Sequence, residues 1–353
     1  MHNGGRFIGI QGLRFIAALM VVVTHTTLMI GERIYGVGDQ AVWREGNAGV
    51  DIFFVISGFV MGISALPLLA RPDGAREFML RRLMRIVPLY WVATTLKLIA
   101  VFAIPALTIH SVFDPSHAIA SYLFLPHLNA EDEFKPLVGV GWTLTYEMFF
   151  YVLFAFAMTL RRNPLPIVLP VLAGLALLGL LKPEHGPAWQ FYLDAILLEF
   201  GFGLLAAKLI CRGFTVNPKL GIVVVVLAFA CFFTPSVYFG SQRAIGWGIP
   251  SFLIVLCVAG MEPFLCRVVP KFVSFLGDSS YALYLFHSFY VPMVGVILVK
   301  IGMAQDWFAF LISVSGSIVV GALVHKWLET PLNRIVRSGR RPTPHTPLSE
   351  SKA

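Results

Sequence analysis

Apolar residues run in long unbroken blocks along this chain, and most blocks end at a cluster of charge or a turn. Ten blocks near the roughly 20 residues needed to cross a bilayer fall at about 7–30, 50–69, 86–104, 138–160, 165–181, 188–208, 220–237, 243–261, 280–299 and 306–328. Within each block the apolar positions are continuous, not alternating. That pattern predicts helices and excludes the alternating ten-residue strands of a membrane barrel. The expected fold class is all-α: a polytopic transmembrane helical bundle of about ten spans.

Composition agrees with the pattern. Hydrophobic residues make up 57% of the 353, charged residues only 13%, and mean hydropathy is +0.78, against about a quarter charged in soluble domains. The +8 net charge could signal nucleic acid, but its distribution follows topology. With the N-terminus placed inside, nineteen Lys and Arg fall in inner segments and six in outer ones, with Arg14 and Lys97 inside spans. Both termini are therefore expected in the cytoplasm. No nucleic-acid-binding motif occurs. Arg14 interrupts the first apolar run and no small-residue cleavage site follows, so the run reads as a span and not a leader. Cys211, Cys231, Cys257 and Cys266 lie in spans or on the expected inner side without C-x-x-C spacing, which argues against disulfides and against a metal site.

No soluble domain interrupts the blocks, so residues 1–330 read as one transmembrane domain. The longest expected outer segment, about 105–137, carries Glu131, Asp132, Glu133, His110, His117 and His127; it suits an acceptor entrance or a loose cap. The segment 70–85 predicts a Pro72-Asp73-Gly74 turn and then a short basic helix. The tail 331–353, rich in Pro, Ser, Thr and basic residues, is expected to be a disordered cytoplasmic segment.

Ionisable residues inside the blocks are costly in lipid and mark functional sites by default. Arg14 and His25 are eleven residues apart, which places both on one helical face about 16 Å apart along the axis. Arg14 could equally snorkel at the inner boundary, and His25 could be a satisfied core histidine. Glu147, in GWTLTYEMFFY, and Asp51, in GVDIFFVISGF, are expected at the depth of His25 in the outer half. A carboxylate there would fix the imidazole tautomer and raise its basicity. Arg82 and Arg85 share a face at the opposite end; guanidinium pairs suit phosphate, and basic residues before a span also set topology. Ser280, Tyr284 and His287 share one face of a late block. Glu199 and Lys97 are further buried charges without an assigned role.

Together these residues resemble a known family, the acyltransferase family 3 integral membrane proteins of bacteria, which acylate surface carbohydrates and some antibiotics. The R-x10-H element matches Arg14 and His25; GVDxFFxxSGF matches Gly49 to Phe59; R-x-x-R matches Arg82 and Arg85. Trp142, Leu144, Glu147, Phe150 and Tyr151 match W-x-L-x-x-E-x-x-F-Y, Ser280 to His287 match SYxLYLxH, and Glu329-Thr330-Pro331 match the closing E-x-P. The resemblance implies a membrane O-acyltransferase of the bacterial cytoplasmic membrane. No permanently bound cofactor is implied; acyl-CoA, usually acetyl-CoA, serves as co-substrate. The acceptor would be a hydroxyl of a surface carbohydrate, lipid-linked glycan or macrolide-like molecule, reached by the membrane domain itself. On this reading Arg14, Arg82 and Arg85 bind the donor phosphates. His25, oriented by Glu147, is the general base, acting by direct transfer or through an acyl-histidine. Asp51, Ser57, Trp142, Tyr284 and His287 would contact the acceptor or support the site. A transporter or flippase of a lipid-linked or small polar substrate is the rival reading, its buried charges lining a pathway; a non-catalytic scaffold is a third.

Overall fold

A computed structural model of the chain describes residues 7–37, 43–103, 113–160, 163–183, 186–234, 242–303 and 305–338. Every regular element among them is helical: α1 (Ile8–Ile30), α2 (Ala48–Ala65), α3 (Gly74–Ala103), α4 (Pro115–Tyr122), α5 (Trp142–Thr159), α6 (Leu165–Gly179), α7 (Leu198–Cys211), α8 (Pro218–Cys231), α9 (Ile249–Gly260), α10 (Glu262–Val268), α11 (Phe272–Lys300), α12 (Asp306–Val324) and α13 (Thr330–Ser338). Six helical stretches are long and apolar enough to cross a membrane, and a seventh if Ala244–Gly260 and Glu262–Val268, bent by 70°, count as one span. The other expected spans are shorter. α6, α7 and α8 have 15, 14 and 14 residues, about 21–23 Å of helix against the roughly 30 Å of a hydrocarbon core. The expected block 188–208 breaks at its start into two short 3₁₀ turns, Ala188–Tyr192 and Ala195–Leu197, the second capped by the Asp194 carboxylate on the Ile196 N–H.

Three other expectations change. The basic segment after the turn is no separate short helix: it is the first part of α3, which runs 30 residues with Pro88 in its interior. The turn before it demands glycine, because a Cβ on Gly74 would sit 1.9 Å from the Leu68 carbonyl oxygen. The long segment after α3 holds the short helix α4, its free N–H groups at Ser116 and His117 capped by Asp114; His110 lies outside the described residues. Finally, Thr330–Ser338 is helical, so the first part of the expected tail is ordered, while 339–353 lie outside the described residues.

α1 lies between α2 and α11, and α2 packs in turn on α7. Small residues set the register of these contacts, as packing between apolar helices requires when backbones must approach. Gly46 lies against Met20 and Thr24 and Gly49 against the Ala17 carbonyl, so α2 runs antiparallel to α1. Gly277 lies against Gln11 and Gly295 against Met29, so α11 runs parallel to it. At the α2–α7 crossing a Cβ on Gly58 would meet the Phe200 oxygen at 2.1 Å, and one on Gly203 the Val55 oxygen at 2.1 Å. Next to that crossing Phe200 stacks between Phe54 (4.6 Å) and Phe150 (4.4 Å), tying α2, α5 and α7 together. Outward-facing Phe156, Leu177, Val226 and Leu227 are exposed, the apolar surface that lipid would cover.

Candidate active site

One cavity, about 890 Å³ of empty space with its open mouth included, runs between α1, α2, α3, α5 and α11. Arg14 from α1 and Arg82 and Arg85 from α3 line it. Arg14 and Arg82 are buried, and Arg85 is half-buried. The contacts of these arginines are neutral: Arg14 Nη1 donates to Gln11 Oε1 at 3.2 Å, and Arg82 Nη2 donates to Ser64 Oγ and lies over the Phe78 ring at 5.4 Å. None of the three forms an ion pair with a carboxylate among the described residues. Buried guanidinium groups without a counter-ion are expensive unless something anionic joins them. Arg82 and Arg85 stand one turn apart on α3, which brings them to the same wall.

Glu147 also lines this cavity, and here the structure corrects the sequence reading. Its carboxylate accepts hydrogen bonds from Ser57 on α2 and Tyr151 on its own helix. Neither bond involves His25, so Glu147 does not orient that imidazole. The reason is register. α5 descends from Thr143, at the level of Tyr284, and Ser57 lies more than two turns down α2 from Gly49, which faces Ala17. Glu147 therefore sits at the level of Arg14, not of His25.

His25 stands beyond the cavity, which neither it nor His287 lines. Phe53 and Tyr284, in edge contact at 5.7 Å, line the end nearest to it. The Tyr284 hydroxyl is held there by Val140 O (2.9 Å) and Thr143 Oγ1 (3.0 Å). His287 follows one turn further along α11, 6.0 Å from the Tyr284 ring, and packs edge-on against His25 with ring centroids 5.0 Å apart. His25 Nδ1 pairs with Val21 O at 2.9 Å.

Two other expected site residues stand apart. Asp51, fully buried, is clamped bidentately by Arg243 at 3.0 and 2.8 Å, and Arg243 lies over Trp247 at 5.1 Å. Its partner comes from 192 positions away, and Glu199 lies beside them, its Oε1 3.2 Å from where a Gly248 Cβ would stand. Asp51 thus braces the start of α2 against the π-helical turn Ala244–Gly248 and does not face the cavity. Trp142 packs edge-on against Phe54 (6.4 Å) and Tyr146 (5.9 Å), supporting the wall without lining it.

Gln11, Tyr151 and Tyr281 line the cavity and were not singled out as site residues. Tyr151 could have been found, since it lies four residues after Glu147 and so on its face. Arg243 could not, because nothing local links it to Asp51.

The comparisons now bear on this arrangement. The model of an acyltransferase domain, family 3, matches residues 7–327. The chain belongs to that family. It is 30% identical over 297 residues to the exopolysaccharide production protein ExoZ of Rhizobium meliloti, covering 84% of this chain and 92% of that protein. It is 26% identical to the acyltransferase MdmB of Streptomyces mycarofaciens, over 97% of this chain and 95% of that one. The peptidoglycan O-acetyltransferase OatA of Listeria monocytogenes is 24% identical over 92% of this chain, which spans 55% of OatA. No solved structure matches.

Proposed function

We propose that the protein moves an acetyl group from cytoplasmic acetyl-CoA to a hydroxyl of a cell-surface carbohydrate or lipid-linked glycan. The observation that carries this reading is the trio Arg14, Arg82 and Arg85, converging on one cavity without an ion pair to a carboxylate among the described residues. The diphosphate and 3′-phosphate of coenzyme A supply the missing charge, and planar guanidinium forks suit them. From Arg14 the helix rises about 16 Å to His25 over eleven residues, a span suited to a pantetheine arm. The thioester then arrives beside His25 once Phe53 or Tyr284 gives way. His25 takes the proton of the acceptor hydroxyl as its oxygen attacks the thioester carbonyl. Glu147, held by Ser57 and Tyr151, faces the arm and serves as an acceptor for its amide N–H groups. A carbohydrate acceptor is supported by the names of ExoZ and OatA.

The same reading sets the membrane layout. Ten crossings result if α6, α7 and α8 are completed by their flanking turns, with the arginine end and both termini on the cytoplasmic face of the bacterial inner membrane. Charge asymmetry supports that orientation.

The test uses purified protein and radiolabelled acetyl-CoA. Replacing Arg82 and Arg85 together by Lys keeps the charge and loses the fork, so acetyl-CoA binding is expected to weaken while insertion is normal. His25→Ala is expected to keep binding and lose roughly 10²–10⁴-fold in transfer. Intact acetyl-CoA after incubation with wild-type protein would favour transport instead.

A further inference from the structure

The cavity closes before it reaches His25, and the side chains that close it are not held alike. On the walls facing α1, the lining residues furthest from the arginines are Val50 on α2, Thr143 on α5 and Tyr284 on α11, with Phe53 beside them. Gly277 faces Gln11 and Gly295 faces Met29, one constant register, so Tyr284 stands level with Ala18 and His287 with Val21. Side chains on a helix lean toward its N-terminus, and His25 Nδ1 reaches back to Val21 O at 2.9 Å. The imidazole therefore hangs about two turns beyond Arg14. A donor anchored at the arginines has that gap to cross.

Phe53 occupies it. The ring packs against the buried cluster of Ala18, Val22 and Leu283, the stretch of α1 and α11 that lies between Arg14 and the imidazole, and meets the Tyr284 ring edge-on at 5.7 Å. Its polar neighbours are pinned. Val140 O and Thr143 Oγ1 hold the Tyr284 hydroxyl at 2.9 and 3.0 Å, and Thr143 Oγ1 itself donates to Val140 O at 3.1 Å. Val50 is buried. Phe53 is half-buried and carries no polar atom, so packing alone fixes it. Of the four, it is the large side chain that can yield without breaking a hydrogen bond.

We propose that Phe53 sets the acyl length this protein accepts and makes it selective for acetyl-sized donors. The proposal rests on the acyl-transfer reading above and deepens it. A thioester donor entering from the arginine side leads with its acyl group, so the acyl chain meets Phe53 before the carbonyl comes within reach of His25. An acetyl group is small enough to pass the edge of the ring. A longer chain has to lie in space that Phe53, Ala18, Val22 and Leu283 already fill, and a close-packed interior yields that space only by displacing side chains. One methylene against an apolar pocket wall discriminates by roughly 10–200-fold. Phe53 touches the end of the substrate and moves no proton; its part is selection, and the chemistry stays with His25.

Two measurements on the full-length protein decide it. The first is release of CoA thiol from acetyl-, propionyl-, butyryl- and hexanoyl-CoA, compared among wild type, Phe53→Ala, Phe53→Leu and Phe53→Trp. In wild type kcat/KM is expected to fall by roughly 10-fold or more for each methylene beyond acetyl. Phe53→Ala should raise the butyryl-to-acetyl ratio of kcat/KM by roughly 10-fold or more, and Phe53→Leu should raise it by less. Phe53→Trp should lower the propionyl-to-acetyl ratio. If the Ala variant does not fold, the Leu and Trp variants carry the test in opposite directions. Equal turnover of butyryl- and acetyl-CoA by wild type, or unmoved ratios in folded variants, would overturn the proposal. The second measurement needs no turnover: binding of the unreactive thioethers S-ethyl-CoA and S-butyl-CoA. Wild type should bind S-ethyl-CoA the more tightly, and Phe53→Ala should lose or reverse that order. The same order and ratio in both proteins would refute the role of Phe53 alone and leave the acyl-transfer reading standing. If wild type bound neither thioether, the acyl-CoA reading itself would fall, and this inference with it.

Discussion

Removing Arg243 is expected to cost this protein more than removing any arginine of the cavity. Its guanidinium makes two hydrogen bonds to Asp51, at 3.0 and 2.8 Å, and the carboxylate it serves has no exposed surface. Glu199 beside them is also fully buried, and among the described residues neither of its oxygens has a hydrogen-bond partner. Arg243→Ala would leave the Asp51 carboxylate unpaired in a low-dielectric site, a change worth about 3–5 kcal/mol. At roughly 2–4 °C per kcal/mol for large domains, the apparent melting temperature of the purified protein should fall by about 6–20 °C at a fixed scan rate. Asp51→Asn alone leaves Arg243 with less to pair and should also destabilise. The double variant Asp51→Asn, Arg243→Gln pairs two neutral amides, so it should be less damaged than the sum of its parts by about 0.5–3 kcal/mol. Acetyl-CoA consumption per folded molecule should be near wild type in the double variant, because the pair braces α2 and does not face the cavity. A melting temperature within a degree or two of wild type in Arg243→Ala would refute the clamp. So would an intact fold with abolished turnover in the double variant, which would return Asp51 to the chemistry.

Other expectations follow from particular contacts. Gly58→Val should destabilise by at least the 1–3 kcal/mol typical of overpacking, since its Cβ would stand 2.1 Å from the Phe200 oxygen; an unchanged melting temperature would mean that α2 and α7 do not cross as closely as described. Glu147→Gln should alter the affinity for acetyl-CoA and leave the pH–rate profile in place, because Glu147 is bonded to Ser57 and Tyr151 and not to His25. A shifted profile with unchanged affinity would restore the direct pairing. For orientation, a cysteine-free background carrying a single Cys at exposed Asp73 should resist an impermeant thiol reagent in intact cells, and one at Asp132 should react; the reverse labelling would invert the layout.

Relations among candidate residues of one helix were legible before any tertiary structure. The positions of Arg14 and His25 on one face of α1, and of Arg82 and Arg85 on one face of α3, follow from 3.6 residues per turn. The same periodicity put Tyr284 and His287 one turn apart on α11, where they are found in ring contact. Continuous apolar blocks were enough to predict helices, and every regular element among the described residues is helical. One expectation changes between helices and one within a helix. Glu147 is expected at the depth of His25, whereas α5 meets α2 so that Glu147 bonds to Ser57. The basic segment before the third span is expected as a separate short helix, whereas α3 runs through it and past Pro88 without ending there.

Backbone geometry makes relations within one helix a property of the sequence alone, because each residue's rise and rotation are local. Relations between helices depend on which surfaces interlock. Here Gly46 and Gly49 seat α2 against α1, Gly277 and Gly295 seat α11 against it, and Gly58 and Gly203 seat α7 against α2. Those contacts decided that Asp51 would meet an arginine 192 residues away, that Glu147 would share a cavity with three arginines, and that His25 would find a second histidine instead of a carboxylate. No periodicity encodes them, because the free energy that selects each register belongs to two close-packed surfaces at once.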